Sequence, residues 1–384
     1  MNLYELIIST LESRKVAYAR QFAPFYISSI ATHVFNIANQ RKHIYMEGGL
    51  PSNTRQHILF VTVPGFGKSF ILRQFLEGNA GIVKGTKINT TFENMMTEAG
   101  FVGTVGKDNT GKKTETEGLC KEHSKSIVGI EEFSAITNSM AADYNYGLDT
   151  ALLTALDSGM VRKRLANGKI EYNTDLTLWA GVQPARYNLS SGLGRRFLFV
   201  MFIPTYKDIY EFRIRRRAAK NISVDKDQLH RLHLKMNERF DQISNSLTRV
   251  NFNMDFYKEL DKLNVIHYEE PIYERLALGY WLMKADSIFG ELTIGTDHEL
   301  VRLMQLEHYY RKEVKKGTQL VQVWAIIKDE GSIEQDKLIK LLLDFSLDIE
   351  TSRNIIKELI IGRYIHREGT LLVNSKLKKN FTKK

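Results

Sequence analysis

Four short runs of the chain are apolar at nearly every position, and segments with helical spacing separate them. This order predicts an α/β domain, because strands that are buried on both faces are typical of a parallel sheet covered by helices on both sides. The runs are 58–61, 126–133, 176–182 and 197–203. All four fall within residues 57–205, which we interpret as the central domain.

The segments on either side of the central domain have helical periodicity. Residues 2–39 carry two apolar stripes and predict helices that pack on the central domain, and a polar connection completes the first 56 residues. Residues 206–317 predict an all-helical lid, whose last helix begins at a capping box formed by Thr296 and Glu299. Residues 318–384 predict three helices and a β-hairpin, the arrangement of a winged helix. Ser332 and Gln335 are expected to cap the second of these helices.

The stretch 57–76, HILFVTVPGFGKSFILRQFL, joins the first strand to a helix through a glycine-containing loop. Glycines let backbone N–H groups curl around an anion, the lysine faces the outer phosphates, and the serine hydroxyl is placed for Mg²⁺. The start of the following helix adds partial positive charge. Against the pattern G-x-x-x-x-G-K-[ST], Thr62 replaces the first glycine. We predict that this loop binds the phosphates of ATP through Pro64, Gly65, Phe66, Gly67, Lys68 and Ser69.

Two carboxylates end the second apolar run, in the sequence SIVGIEEF. An acid-ended strand that follows a phosphate loop is expected in a nucleotide hydrolase, where one acid holds the metal and a second orients the attacking water. We assign Glu131, with Ser69, to the metal and Glu132 to the water. Gln183, at the tip of the third run, is a candidate to sense the γ-phosphate or to hold the water. The alternative is an ordinary solvated acidic strand end.

A basic hairpin is predicted between the acid-ended strand and the strand that ends at Gln183. The Asn167-Gly168 pair between two strand-like runs is a strong hairpin signal. The flanking strands carry several cations, namely Arg162, Lys163, Arg164 and Lys169. One interpretation is a loop that contacts nucleic-acid phosphates, and the other is a solvated β-ribbon.

The third helix of the C-terminal segment is a second candidate for DNA contact. Its outward side is predicted to carry Thr351, Ser352, Arg353 and Lys357, which suits a DNA groove. Winged helices also serve as protein-contact modules, so the partner of this helix stays open at this point.

The composition says more about the class of protein and its cellular compartment than about the chemistry of its site. With 384 residues, 43% hydrophobic and 26% charged, the chain has the composition of a soluble protein with room for two or three domains. The formal charge of +10 favours a polyanionic partner, although a basic surface also promotes solubility. A single cysteine, Cys120, excludes an internal disulfide framework and fits the reducing cytoplasm. No apolar run approaches ~20 residues, so we expect no membrane span.

From about residue 20 onward, the chain resembles the AAA+ ATPases, most closely the minichromosome-maintenance helicase branch. TVPGFGKS is similar to the Walker A motif of that branch, IVGIEEF to its Walker B motif, LTLWAGVQP to its sensor 1 strand, and GLGRRF to its arginine-finger segment. The basic hairpin lies where that branch has its pre-sensor 1 hairpin. The chain departs from the family pattern at Thr62, at Glu131 in place of Asp, and at Gln183 in place of Asn.

The resemblance implies that arginines from a neighbouring subunit complete each nucleotide site in a homo-oligomeric, hexameric ring. Arg196 matches the arginine finger, with its neighbour Arg195 as the alternative, and Arg275 matches the sensor 2 arginine. The expected fold is an α/β P-loop AAA+ core with a helical lid and a C-terminal winged helix.

These observations predict an ATP-driven and Mg²⁺-dependent DNA motor, a ring-shaped helicase of the reduced type found in plasmid or virus replication. The first alternative is an origin-binding initiator or loader, which uses ATP as a switch without processive unwinding. A second alternative is a remodeller of protein complexes that needs no DNA. The basic hairpin separates motor from switch, because a switch needs no basic loop in a central channel.

Overall fold

The architecture comes from a computed structural model of the chain. The description covers residues 2–63, 65–78, 80–94, 96–107, 113–136, 147–165, 168–183, 191–220, 222–315, 318–344, 348–361 and 364–375. Pro64 and Asn167, which were singled out in the sequence, lie outside these ranges.

A five-stranded parallel sheet forms the centre of the molecule. Its strands are β3 (His57–Thr62), β4 (Asn89–Glu93), β7 (Ser126–Ile130), β10 (Thr177–Val182) and β11 (Phe197–Phe202). Their order in the sheet is β11-β3-β10-β7-β4. Ala180 of β10 lies opposite Leu59 of β3 on one side and Ile130 of β7 on the other. The predicted α/β class with a parallel sheet is therefore confirmed, and the carboxyl ends of these three strands meet at one edge.

The edge strand β4 was not predicted from the sequence. Its residues, NTTFE, are mostly polar, and none of them is fully buried. An edge strand pairs on one side only and is less covered than a central strand, so it lacks the continuous apolar run that marked the other four strands.

Helices cover the sheet, as the periodicity of residues 2–39 predicts for the N-terminal part. The first three are α1 (Leu3–Ser13), α2 (Ala19–Lys42) and α3 (Lys68–Leu76). The indole of Trp179 in β10 donates a hydrogen bond to Ser29 of α2 at 2.7 Å. Tyr26 of α2 and Phe75 of α3 contact the same indole edge-on. Helices α2 and α3 therefore pack on one face of the sheet.

Two antiparallel hairpins extend from the central domain beside each other. One is formed by β5 (Gly103–Lys107) and β6 (Lys113–Glu117), and the other by β8 (Met160–Leu165) and β9 (Gly168–Asn173). The second is the predicted basic hairpin. The other short elements in the described part of residues 2–205 are β1 (Met46–Glu47), β2 (Leu50–Pro51), α4 (Glu98–Val102), α5 (Leu119–Glu122), α6 (Leu148–Leu156) and α7 (Ser191–Gly194).

The segment 206–317 is not all helical, contrary to prediction. It contains α8 (Tyr206–Ala219), α9 (Lys226–Asp241), a π-helix (Gln242–Ser246), β12 (Leu247–Phe252), α10 (Met254–Lys262), a 3₁₀ turn (His267–Glu269), α11 (Glu270–Lys284), β13 (Gly290–Ile294) and α12 (His298–Lys315). Strands β12 and β13 pair in parallel. Both strands are short and lie between long helices in the chain. The helical periodicity of the surrounding residues therefore hides them in the sequence. The residue that caps the start of α12 is Asp297 and not Thr296 as predicted. The backbone N–H of Leu300 donates a hydrogen bond to the Asp297 carboxylate at 2.8 Å.

The C-terminal segment combines helices with a small antiparallel sheet. Its elements are α13 (Thr318–Glu330), β14 (Ser332–Glu334), α14 (Gln335–Asp344), α15 (Ile349–Ile361), β15 (Ile365–Glu368) and β16 (Leu371–Asn374). The order of the strands in the sheet is β14-β16-β15. Ser332 pairs with β16 instead of capping a helix. Ser352 is buried and donates to the carbonyl of Asp348, so it is not on the outward side of its helix as predicted.

Candidate functional site

The loop after β3 is shaped by two glycines in a left-handed conformation. Gly65 has φ +85° and Gly67 has φ +80°, a region that residues with a Cβ rarely adopt. Gly67 directly precedes α3, so the unpaired N–H groups of the first helical turn, which includes Lys68 and Ser69, lie at the loop. This geometry can hold an anion.

Thr62, which replaces the first glycine of the motif, is the last residue of β3. It is paired with Phe202 of β11 and is fully buried. The backbone is still an extended strand here, so a side chain is tolerated where the motif usually has glycine. Its hydroxyl oxygen has no hydrogen-bond partner among the described residues.

The side chain of Lys68 runs across β10 and ends at the second acid of the acid-ended strand. Its Nζ atom lies 2.8 Å from Glu132 Oε2. The same oxygen accepts a hydrogen bond from Gln183 Nε2 at 3.0 Å, and Oε1 accepts from Ser134 Oγ at 2.5 Å. Three predicted site residues, Lys68, Glu132 and Gln183, are therefore brought together, and Ser134 joins them.

The ionisation of Glu132 follows from these contacts. Burial raises the pKa of its carboxyl, but the hydrogen bonds from Lys68, Ser134 and Gln183 outweigh that cost and hold the pKa below the usual range. Glu132 is therefore a carboxylate at neutral pH. This is the form that can accept a proton from water.

Glu131, the first acid, has a different partner. Its Oε1 atom lies 2.5 Å from Arg73 Nε on α3, one helical turn after Ser69. Ser69 and Glu131 both line the cavity described next. A hydroxyl and a carboxylate suit Mg²⁺, which is usually held by one or two carboxylates together with phosphate oxygens. Among the described residues, no group of three or more His, Cys, Asp or Glu could hold a metal ion.

A cavity of about 860 Å³ opens beside the loop and is large enough for a nucleoside triphosphate. The glycine loop after β3, both acids and Gln183 line one side. Helix α8 lines the other side and contributes cations that the sequence analysis did not connect with the site. The cations around the cavity are Lys15, Lys68, Arg213, Arg215, Arg216 and Lys220. Their excess over the two carboxylates favours a polyanionic ligand.

An aromatic wall joins α8 to the loop. The ring of Phe212 lies 5.1 Å from that of Phe66 and 5.6 Å from that of Tyr18, measured between centroids. The hydroxyl of Tyr18 donates to Asp208 near the start of α8. The connection between α1 and α2 therefore fixes α8 over the cavity. In the sequence, the basic residues of α8 are typical of a solvated helix face, and only this packing places them at the cavity.

Arg196 and Arg275 lie at the opposite edge of the sheet. Arg196 directly precedes β11, and Arg275 donates to the carbonyl of Arg55, two residues before β3. The strands are six residues long, so this edge is roughly 20 Å from the cavity. Neither arginine reaches the cavity of its own chain.

The side chains of the two arginines that precede β11 differ in how many contacts hold them within the chain. Arg196 donates to the carbonyls of Leu153 and Gly192 at 3.1 and 2.5 Å and forms an ion pair with Asp157 at 2.6 Å. Arg195 is exposed, and its guanidinium lies 5.3 Å from the centre of the Tyr268 ring. Arg195 is thus the better placed of the two to contact another molecule.

The basic hairpin presents three of its four cations on one exposed face, where Lys169 is paired with Glu171. Arg164 and Lys169 lie opposite each other across the strands, and both are exposed. Arg162 is on the same face and forms an ion pair with Glu171 at 2.8 Å. Lys163 is on the other face, where it forms an ion pair with Glu98 at 2.9 Å. The hairpin β5–β6 packs against that second face through β9.

The C-terminal candidates, Arg353 and Lys357, are both exposed on α15 and one turn apart. They contribute no lining residue to the 860 Å³ cavity. None of the described helices has the length and apolar character needed to cross a bilayer.

Comparison with known proteins does not assign the chain: no protein-family description and no curated protein matches it. Its function is therefore inferred from the residues of the site.

Proposed function

We propose that the chain is an ATPase of the AAA+ class, similar to the minichromosome-maintenance branch, and that it moves DNA as a hexameric ring. The observation that carries this proposal is the position of the Glu132 carboxylate, 2.8 Å from Lys68 and 3.0 Å from Gln183 at the edge of the cavity. A lysine for phosphates, an acid for water and a polar sensor are among the groups that enzymes use to hydrolyse ATP.

Each residue of the site has a role in this proposal. The loop N–H groups and Lys68 bind the β- and γ-phosphates, and Gln183 orients the γ-phosphate or the attacking water. Glu132 takes the proton of that water as it attacks. Ser69 and Glu131 fit Mg²⁺, which, when bound, neutralises charge on the phosphates. Because Lys68 contacts Glu132 directly, arrival of the γ-phosphate would draw the lysine away and free the carboxylate for water.

The position of the arginines supports a ring. Arg195, Arg196 and Arg275 lie at the sheet edge remote from the cavity of their own chain. Arginines at that edge could complete a nucleotide site only on a neighbouring copy, as the resemblance implies.

Two surfaces support DNA as the partner. Arg162, Arg164 and Lys169 form one exposed basic face on a hairpin, a shape that suits backbone contacts within a channel. We further propose that residues 206–317 act as the lid, although they include two strands, and that residues 318–384 form a winged helix that uses Arg353 and Lys357.

The second candidate is an initiator or loader that binds DNA through its C-terminal segment and uses ATP as a switch. The exposed pair Arg353 and Lys357 on α15 favours it. In that case, changing this pair would abolish DNA binding and changing the hairpin would not.

The test is binding of a fluorescent ATP analogue, ATP hydrolysis and unwinding of a forked DNA by the purified chain. Lys68→Ala should weaken nucleotide binding at least tenfold, because it removes the charge that faces the phosphates. Lys84→Ala, an exposed lysine outside the cavity, is the matched control. Nucleotide binding and hydrolysis without unwinding would favour the switch, and no nucleotide binding would refute both candidates.

A further inference from the structure

Arg73 connects the metal-side acid of the site to the phosphate-loop helix. It follows Ser69 by four residues on α3, so the two side chains are on the same face of the helix. Its Nε atom lies 2.5 Å from Glu131 Oε1 and 3.3 Å from Glu77 Oε2. The guanidinium is therefore placed between two carboxylates.

The two carboxylates are not equivalent. Glu131 borders the cavity, and 22% of its side chain is exposed. Glu77 lies at the end of α3, outside the cavity, and 50% of its side chain is exposed. Arg73 can therefore give up Glu131 and remain paired with Glu77 on its own helix.

We infer that Arg73 competes with a divalent cation for Glu131 and so sets how much Mg²⁺ the nucleotide complex requires. This inference rests on the proposed function, in which Glu131 holds Mg²⁺. A carboxylate oxygen that is shared with a guanidinium at 2.5 Å is less available to a cation than a free one. When Mg²⁺ binds Glu131, Arg73 keeps its ion pair with Glu77. This remaining ion pair lowers the free-energy cost of releasing Glu131 to the cation.

The alternative is that Arg73 acts as a tether, which means that it only holds Glu131 in the orientation that the cation needs. The two roles predict shifts of opposite sign. If Arg73 competes, its removal makes the cation bind more tightly, whereas if it is a tether, its removal makes the cation bind more weakly.

The experiment is a Mg²⁺ titration of the full chain with a fluorescent, non-hydrolysable ATP analogue, starting from chelated protein. The concentration of Mg²⁺ at half-maximal binding is the readout, so turnover is not needed. Arg73→Ala should lower this concentration at least threefold. Glu77→Ala should raise it at least twofold, because Arg73 then has only Glu131. Arg231→Ala, at an exposed arginine of α9, should leave it unchanged.

The double variant Arg73→Ala with Glu77→Ala tests whether the residues act together. In the absence of Arg73, loss of Glu77 should cause no further shift beyond measurement error. An equal or higher Mg²⁺ requirement in Arg73→Ala, or fully additive shifts in the double variant, would overturn the inference. Should Arg73→Ala fold poorly, Arg73→Gln keeps N–H donors without the charge and should shift the titration in the same direction.

The failure of the inference can be told apart from failure of the proposed function. A wild-type chain that binds the analogue, with Arg73→Ala behaving identically, would refute the inference alone. A wild-type chain that binds no analogue at any Mg²⁺ concentration would refute the proposed function and the inference with it.

Discussion

Lys68 passes so close to Gly181 that no side chain fits between them. A Cβ atom at position 181 would lie 2.4 Å from Lys68 Cδ and 2.8 Å from the carbonyl oxygen of Glu131. Gly181 is in β10, two residues before Gln183, and the backbone N–H of Phe133 donates to its carbonyl at 2.7 Å. This glycine therefore lets the side chain of Lys68 cross β10 to reach Glu132.

Gly181→Ala should displace Lys68 and weaken binding of the ATP analogue about tenfold. The added methyl group should also cost about 1–3 kcal/mol in the free energy of unfolding, because the backbone oxygen of Glu131 cannot move aside. Fluorescence titration and urea unfolding measure the two effects. Gly295→Ala, at a position with open space around it, is the control. Unchanged nucleotide affinity in a folded Gly181→Ala protein would contradict this account of the lysine.

Glu132→Gln should bind the ATP analogue and hydrolyse ATP at least 10²-fold more slowly than the wild type, because the variant cannot accept the proton of the attacking water. Binding and turnover are measured on the same preparation. Glu122→Gln, at an exposed acid, is the matched control. Hydrolysis by Glu132→Gln at the wild-type rate would mean that another group acts as the base.

The lowered pKa of Glu132 predicts a difference in acid stability. Folding favours its ionised form, so this contribution to the free energy of unfolding is present above the unfolded pKa of about 4.3 and is lost as pH falls through the lower folded pKa. Between about pH 5 and pH 3, the wild type should therefore lose more stability than Glu132→Gln. Urea unfolding at several pH values measures the difference, and parallel pH profiles would show that Glu132 is not stabilised by its partners.

Arg164→Ala combined with Lys169→Ala should abolish unwinding and leave basal ATP hydrolysis intact, because neither residue lines the 860 Å³ cavity. On single-stranded DNA, the slope of log affinity against log salt should decrease by about 1.4, or 0.7 for each lost phosphate contact. Lys163→Ala is an internal comparison, because its ammonium group lies on the other face of the hairpin, beside Glu98, and its loss should change the slope less.

The opposite result for the hairpin would favour the initiator over the motor. It would consist of normal unwinding by the hairpin variant and loss of DNA binding by Arg353→Ala combined with Lys357→Ala. A filter-binding assay of both variants at several salt concentrations, together with the unwinding assay, distinguishes the initiator from the motor.

A buried ion pair braces the segment that carries Arg195 and Arg196. Arg311 of α12 lies 2.6 Å from both Glu307 and the carbonyl oxygen of Phe197, and all of these groups are buried. Arg311→Met should lower the free energy of unfolding by about 3–5 kcal/mol, because it leaves the Glu307 carboxylate buried without its partner. Adding Glu307→Leu should recover part of the loss in urea unfolding. A double variant as unstable as the single one would show that Arg311 acts mainly through the backbone of β11.

The apolar runs located four of the five sheet strands, and glycines followed by Lys68 located the loop between strand and helix. Both signals are local. A strand buried on both faces must be apolar at successive positions, and a loop around an anion must have small residues with free N–H groups. The polar edge strand β4 and the strands β12 and β13 escaped detection because their burial depends on neighbours that are distant in the chain.

The sequence by itself determined the α/β class, the glycine loop between β3 and α3, and the acids at the end of β7, because spacing along the chain fixes these features. Only the tertiary structure decided which groups meet. It set Glu132 against Lys68 and Glu131 against Arg73, brought the basic helix α8 over the cavity, and placed Arg196 and Arg275 at the far edge of the sheet. The physical reason is that such contacts depend on strand order and helix packing, which come from the burial of the whole core and leave no periodic mark in any one segment.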